Sequence, residues 1–302
     1  MKLRLDRLLT VYLAQPAGRV LGLPSKAVPV LMYHSISDQN EEGLHPYYRT
    51  TAAPSIFARQ MQHLQAEGYR SGTLASAVSH LQQETSVPEK LVVITFDDGF
   101  ADFYQEAFPV LQRCGLSATM FLPTSYIGER AAQFKGKNCL TWSQVRELAR
   151  HGITFGSHTA THPRLIELNA DQIQDEVATS KKTIEDQLGQ VVESFAYPYA
   201  FPQTNVEFKK MLRGLLVQAG YRSGVCTTIG RATLGSDSLF LERLPVNADD
   251  DPALFSAKLA GAYDWISTAQ QISKMVKGSL PGRINGPKFN LSKELPRVQR
   301  PS

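Results

Sequence analysis

Long apolar runs and paired cysteines are both missing from this 302-residue chain. No stretch reaches the ~18 consecutive apolar residues of a membrane-spanning helix, so the sequence predicts no such helix. The three cysteines (Cys114, Cys139 and Cys226) include no CxxC pair. This argues against a disulfide framework and a thiolate zinc site, and buried structural thiols are expected. Histidine is absent after His162, so any catalytic or metal-binding imidazole must come from the first 162 residues.

Acidic residues are scarce at both ends of the chain. Counting Lys and Arg against Asp and Glu gives +4 for residues 1–26, −6 for 27–269 and +6 for 270–302. A nucleic-acid-binding domain carries its positive charge on folded elements, so an acidic body predicts no nucleic-acid partner. The basic ends are expected to be solvated, with weak attraction to anionic lipid as the alternative.

The amino terminus offers little that is typical of a secretory signal. Asp6 and Arg7 interrupt its apolar stretch and leave only residues 8–14, so we expect a cytoplasmic protein. Residues 1–26 form a basic amphipathic segment, because its leucines place an apolar stripe on a short helix. The leucines concerned are Leu3, Leu5, Leu8, Leu9 and Leu13. This helix is expected to pack on the domain surface or, alternatively, to lie at a membrane interface.

Seven short apolar or β-branched runs recur along the body of the chain. They lie at 28–34, 91–98, 117–123, 153–159, 194–200, 222–228 and 239–246. Near-continuous apolar runs suit strands that are buried on both faces, as in parallel sheets. Segments with a helical period separate most of them, and the clearest, 169–189, has Asn169 and Gln172 placed for a capping box and Gly189 at its end.

This alternation predicts an α/β fold, a closed or nearly closed (β/α) barrel with about seven parallel strands. The barrel domain should span residues 27–268. Residues 269–302 are rich in Pro, Gly and Lys, without a periodic apolar face, and are expected to form a basic tail.

Two adjacent carboxylates, Asp97 and Asp98, follow the second apolar run and precede Gly99. Such a pair is costly after a buried strand unless something positive binds it. A turn or helix cap is the simpler interpretation of Asp followed by Gly. Because neighbouring residues at a strand end point in different directions, one carboxylate could bind a metal while the other faces the reacting carbon.

Two histidines, His158 and His162, follow the fourth run. They share a face if the turn is helical, which would place both imidazoles on one ion. Ordinary loop polarity is the alternative. Together with Asp98 they supply two nitrogens and one oxygen, the three-ligand open site of catalytic zinc, with water or substrate in the remaining positions.

Four segments together resemble polysaccharide deacetylases, the NodB-homology fold of carbohydrate esterase family 4. They are PVLMYHSI at 29–36, TFDDGF at 95–100, SHTATH at 157–162 and FAYPYA at 195–200. The resemblance covers roughly residues 27–250. It implies a distorted (β/α) barrel fold. It also implies an enzyme that uses a divalent metal to remove acetyl groups, usually N-acetyl groups, from an acetylated sugar or glycan. Zinc is expected first, with cobalt, nickel, manganese and iron as alternatives.

The resemblance also implies roles for individual residues. Asp97 would be the catalytic base, while Asp98, His158 and His162 would hold the metal. The third motif maps onto Tyr197–Ala200, so that Tyr197 would lie at the substrate and the backbone N–H near Tyr199 would help to bind the oxyanion.

Two departures from the family pattern concern the acid and the base. Ala196 stands where many members have an arginine that orients the base, and the late histidine that supplies the general acid is missing. Arg243 is expected to reach the carboxylates from another strand. His34, at the end of the first run, is expected to be the acid, with a hydrogen-bonded strand-end histidine as the alternative.

Three functions remain open from the sequence. The first is a metal-dependent deacetylase. The second is a hydrolase of another C–N bond, such as a formamide or a cyclic imide or amide, on the same scaffold. The third, a non-catalytic glycan-binding relative, is disfavoured because a binding module has no need for a free carboxylate beside a metal.

Overall fold

Seven parallel strands close into a barrel in the computed structural model, which describes residues 4–17, 27–39, 41, 43–44, 49–82, 88 and 90–266. The strands are β1 (Val30–Tyr33), β2 (Leu91–Phe96), β3 (Thr119–Leu122), β4 (Thr154–Ser157), β5 (Ser194–Ala196), β6 (Ser223–Ile229) and β7 (Leu241–Pro245). Neighbours in the chain are neighbours in the barrel, and β7 pairs with β1 to close it. Each strand coincides with one predicted run, with β6 ending one residue beyond its run, so the predicted fold is confirmed.

Helices surround the barrel. They are α1 (Leu5–Leu9), α2 (Pro54–Ala66), α3 (Leu74–Gln82), α4 (Phe108–Arg113), α5 (Trp142–Arg150), α6 (Ala170–Leu188), α7 (Val206–Gln218) and α8 (Pro252–Leu259). A π-helical turn extends α1 through Thr10–Ala14, and another precedes α4 at Phe103–Ala107. The capping box of Asn169 and Gln172 begins α6 and Gly189 ends it with a φ of +64°, as predicted.

Further short strands pair with one another or with a barrel strand. Ala27–Val28 pairs with Ala232–Thr233, Ser35–Ile36 with Thr51–Ala52, Arg70–Ser71 with β2, and Gln133–Phe134 with Lys137–Asn138. The last pair is a hairpin whose turn residues, Lys135 and Gly136, are both left-handed, at φ +51° and +75°. Two consecutive left-handed residues are typical of a two-residue hairpin turn.

The apolar core leaves one end of the barrel to polar residues. Buried residues of α3, among them Leu74 and Leu81, join the interior residues Val93 and Phe121 in one cluster. Phe121 fills the interior so completely that a Cβ on Gly156 would lie 2.5 Å from its ring. The buried polar residues at the carboxyl ends of the strands therefore stand above a packed core rather than a pore.

The three cysteines are free and buried, as expected. Within the described ranges, no helix has the length and apolar character needed to cross a bilayer. The tail predicted at 269–302 lies outside the described residues, and so does 18–26. The domain boundaries therefore stay predictions.

Candidate metal centre and active site

The two carboxylates after β2 point to different partners. Asp97 continues the strand ladder, because its N–H donates to the Tyr33 carbonyl at 3.0 Å. Asp98 and Gly99 then adopt left-handed conformations, with φ of +71° and +63°. Asp tolerates this region better than most residues, whereas a Cβ on Gly99 would lie 3.0 Å from Ile127. This sharp turn separates the Asp98 side chain from that of Asp97.

The loop after β4 brings His158 and His162 together without a helix. Their ring centroids are 4.7 Å apart. Because His162 has a φ of +58°, the turn is not helical, and the loop conformation rather than a shared helix face brings the two rings together. Glu176 on α6 accepts hydrogen bonds from the backbone N–H groups of Ala160 at 2.9 Å and Thr161 at 2.8 Å. The Glu176 carboxylate thus satisfies two backbone N–H groups of this loop.

Asp98, His158 and His162 form a three-residue cluster whose ligand atoms lie within 4.8 Å of one another. Oδ1 of Asp98 is 3.2 Å from Nε2 of His162 and 3.7 Å from Nε2 of His158. This oxygen is buried and has no hydrogen bond to any described residue. A buried carboxylate oxygen facing two imidazole nitrogens is what a divalent cation requires. The residues present therefore fit a metal ion.

The protonation states agree with ligation. Nδ1 of His158 is 2.8 Å from the Ala196 carbonyl, a contact that fixes Nδ1 as the donor and leaves Nε2 free as a ligand. Burial lowers the pKa of His158 to about 3, so the ring is neutral at neutral pH. Burial alone would raise the pKa of Asp98, but its contact with His162 and nearby positive charges hold it well below its usual range.

Asp97 is paired with a buried arginine. Two nitrogens of Arg243 lie 2.7 Å from the two carboxylate oxygens, and Arg243 is 0% exposed. Arg243 also donates to the Cys226 carbonyl at 3.0 Å and to Oγ1 of Thr95 at 3.1 Å. Burial opposes ionisation of Asp97, but Arg243 outweighs it and lowers the pKa of Asp97 to about 2. Arg243 thus reaches the carboxylate from β7, as the sequence led us to expect.

His34 lies at the other side of the same carboxylate. Its Nε2 is 3.9 Å from Oδ2 of Asp97, and its side chain is 20% exposed. Burial lowers the pKa of His34 below its ordinary value, although the two nearby aspartates act in the opposite direction. The residues proposed as base and acid are therefore neighbours.

The two tyrosines of the third motif lie in different environments. Tyr197 is 1% exposed and packs on Phe201 and Phe208, so its ring belongs to the core and does not join the other predicted site residues. Tyr199 is left-handed, with a φ of +60°, and 43% exposed. Its ring centroid is 4.7 Å from that of His162, which places it at the mouth of the cluster.

Sequence reasoning missed two residues on the hairpin. Nζ of Lys135 is 3.0 Å from Oδ2 of Asp98 and 4.7 Å from the ring centroid of Phe134. Phe134 in turn has its ring centroid 5.0 Å from that of His162. The local sequence indicates only a turn at Lys135–Gly136. Glu176 was missed for a similar reason, because a glutamate on an amphipathic helix carries no local sign of a distant partner.

Comparison with known proteins agrees with this geometry. The profile of the polysaccharide deacetylase family matches residues 84–223. YxkH of Bacillus subtilis, named as a polysaccharide deacetylase, is 35% identical over 234 residues, which cover 78% of this chain and 76% of YxkH. The poly-beta-1,6-N-acetyl-D-glucosamine N-deacetylase of Escherichia coli is 31% identical over 49% of this chain, but the match spans only 23% of that enzyme.

Solved structures show the same fold. The Streptococcus pyogenes deacetylase PplD, determined in complex with acetate, has a TM-score of 0.67 and 26% identity over 77% of this chain and 98% of its own. IcaB from Ammonifex degensii has a TM-score of 0.64 and 24% identity over 77% of this chain and 97% of its own. The relatives and the family profile together show that this chain belongs to the polysaccharide deacetylase family, whose members are hydrolases that act on carbon–nitrogen bonds other than peptide bonds.

Proposed function

We propose that this protein is a metal-dependent deacetylase that removes an N-acetyl group from an amino sugar within a glycan or a glycan-biosynthesis intermediate. One observation carries the proposal: the unbonded Oδ1 of Asp98 faces two histidine nitrogens, beside a second carboxylate that an arginine holds ionised. The Escherichia coli relative named for N-acetylglucosamine deacetylation supports the choice of an N-acetyl sugar.

Asp98, His158 and His162 would hold the metal, with zinc as the first candidate for a site of two nitrogens and one oxygen. When bound, such an ion polarises the acetyl carbonyl and makes a water molecule more acidic. The buried setting of the three residues strengthens both effects, because little solvent screens the charges.

Asp97 would act as the general base. Its carboxylate is ionised at neutral pH, since its pKa is about 2, and Arg243 keeps both oxygens in a fixed orientation. His34 would deliver a proton to the departing amine, and its lowered pKa makes the protonated ring a stronger donor. The backbone N–H near Tyr199 would donate to the developing oxyanion.

The test is release of acetate and formate from a panel of acetylated and formylated amino sugars and oligosaccharides, with and without a chelator. We expect acetate release that the chelator abolishes and a divalent metal restores. Asp98→Ala, His158→Ala and His162→Ala should each lose bound metal and activity. Asp186→Asn is the matched control, because Asp186 is exposed and pairs only with Lys182 among the described residues.

Formate release without acetate release would favour the alternative function, a hydrolase of another C–N bond such as a formamide. Full metal occupancy in all three variants would overturn the site. The cytoplasmic location and the absence of a nucleic-acid partner are part of the proposal, and cell fractionation and co-purified nucleic acid would test them.

A further inference from the structure

The amino-terminal helix contacts the rest of the protein through Val11, which packs against the apolar core, and through several polar side chains. Oδ2 of Asp6 accepts a hydrogen bond from the Tyr263 hydroxyl at 2.8 Å. Oγ1 of Thr10, a residue that is 0% exposed, accepts one from Nε1 of Trp265 at 3.1 Å. The inward face of this helix is therefore hydrogen-bonded to the segment that follows α8.

Two ion pairs strengthen the same attachment. Arg4 is 3.2 Å from the buried Asp250 and donates to the Asp249 carbonyl at 3.0 Å. Arg7 pairs with Asp251, the residue that caps α8. The orientation of the helix about its own axis is thus determined by several directional contacts.

This orientation turns the apolar face outward. Leu5 is 62% exposed, Leu9 42%, Tyr12 63% and Leu13 63%. Their spacing of three and four residues places them on one face, which we call the leucine face. A surface helix of a water-soluble domain has the opposite arrangement, with its apolar stripe on the core. The sequence left open whether these leucines pack on the domain or lie at a membrane interface. In the structure they are exposed, while Asp6 and Thr10 hold the helix on the domain.

The size and surroundings of the leucine face favour a bilayer over a second copy of the chain. A standard protein interface uses ~20–30 residues a side, whereas this face offers four large side chains. An interfacial helix needs only to reach about 5–10 Å into the headgroup region. Residues 270–302 carry a net charge of +6. In the sequence they follow closely after Trp265, which donates a hydrogen bond to Thr10 of the helix.

We propose that the leucine face docks this protein on a membrane surface that contains anionic lipid, which the net charge of +6 in the sequence of residues 270–302 attracts. Apolar insertion and attraction of basic residues are two separate contributions, and stable peripheral binding requires two such signals. The proposal does not depend on the hydrolytic function, because none of these residues belongs to the metal cluster.

The test is co-sedimentation of the full-length protein with vesicles of phosphatidylcholine alone or with about 30% phosphatidylglycerol. We expect binding to the anionic vesicles that added salt weakens. Leu9→Gln/Leu13→Gln should reduce partitioning at least about ten-fold. Val191→Gln/Val217→Gln is the matched control, because these valines are 76% and 57% exposed but lie outside the leucine face.

A second measurement reports on the helix itself. Tyr12→Trp should shift tryptophan emission to shorter wavelength when anionic vesicles are added, since Tyr12 lies on the leucine face. Equal partitioning of the Leu9→Gln/Leu13→Gln protein and the wild type, or no emission shift, would overturn the proposal. A wild-type dimer that becomes monomeric in the same double variant would also overturn it, by assigning the face to a second copy of the chain.

Discussion

The guanidinium of Arg243 on β7 donates a 2.7 Å hydrogen bond to each carboxylate oxygen of Asp97, 146 residues earlier in the chain. Both groups are buried, and the remaining Arg243 nitrogen donates to a backbone carbonyl. Each charge therefore offsets part of the free-energy cost of burying the other. Position 196, where the resemblance led us to expect an arginine, is an alanine on β5, and the arginine that contacts Asp97 lies on β7, two positions along the barrel.

Arg243→Met should destabilise the fold by about 3–5 kcal/mol, because it leaves Asp97 buried without its partner. Urea unfolding measures the loss. The double variant Arg243→Met/Asp97→Asn should regain a large part of it, since the uncompensated charge is then gone. A loss below about 1 kcal/mol in Arg243→Met would show that water reaches the carboxylate.

The same pair predicts the direction of acid destabilisation. Folding lowers the pKa of Asp97 from 3.8 to about 2, so its contribution is complete above its unfolded pKa and disappears as the pH falls through the folded one. Urea midpoints measured from pH 5 to pH 2 should therefore converge for wild type and Arg243→Met between about pH 4 and pH 2. A difference that stays constant over this range would contradict the low pKa.

Asp97→Asn should lower turnover by ~10²–10⁴ while the metal stays bound, because the amide keeps the shape of the carboxylate but cannot accept the proton. Acetate release and metal content of the same preparation measure the two quantities. Loss of metal along with activity would instead make Asp97 a part of the metal site.

His34→Ala tests the assignment of the acid. A working acid must be protonated, so His34→Ala should lose activity chiefly at the pH values where wild-type His34 is protonated. The alkaline limb that deprotonation of His34 produces should then disappear from the pH profile. The loss should be smaller for an O-acetyl ester than for an N-acetyl amide, because a departing amine needs the proton more. An unchanged alkaline limb together with an unchanged amide-to-ester ratio would place the acid elsewhere.

Lys135→Met should weaken metal binding by about 10–100-fold, the usual effect of removing a group that orients a ligand. Lys135 contacts Oδ2 of Asp98 and leaves Oδ1 facing the histidines, so it directs one oxygen toward the metal position. Competition with a chromogenic chelator measures the affinity, and Lys182→Met on the exposed face of α6 is the control. Tighter binding would mean that the ammonium only competes with the metal for the carboxylate.

The seven strands, the helix α6 and the order of the chemical motifs could be predicted from the sequence alone. Each depends on a local signal: continuous apolar runs for the strands, and a capping box and a terminal glycine for α6. Asp97, Asp98, His158 and His162 follow such strands, and parallel strands bring their carboxyl ends to one rim. The composition of the site therefore required no knowledge of distant contacts.

Tertiary structure decided the geometry of that site. The loop from His158 to His162 is not helical: Thr159 and His162 are left-handed, and Glu176 on α6 accepts hydrogen bonds from two of its backbone N–H groups. Lys135 reaches Asp98 only through a hairpin that packs over the rim, and Tyr197 turns into the core while Tyr199 stays exposed. These outcomes depend on side chains that meet across long stretches of chain, where no periodicity links one residue to the other.

The amino-terminal helix illustrates the same division. Its sequence specifies two faces, one apolar and one polar, and leaves open whether the apolar face packs on the domain or lies at a membrane interface. Hydrogen bonds from Tyr263 and Trp265 to Asp6 and Thr10 turn the polar side chains toward the domain. Amphipathicity is a local property that the sequence determines, but which face meets the protein depends on partners more than 250 residues away.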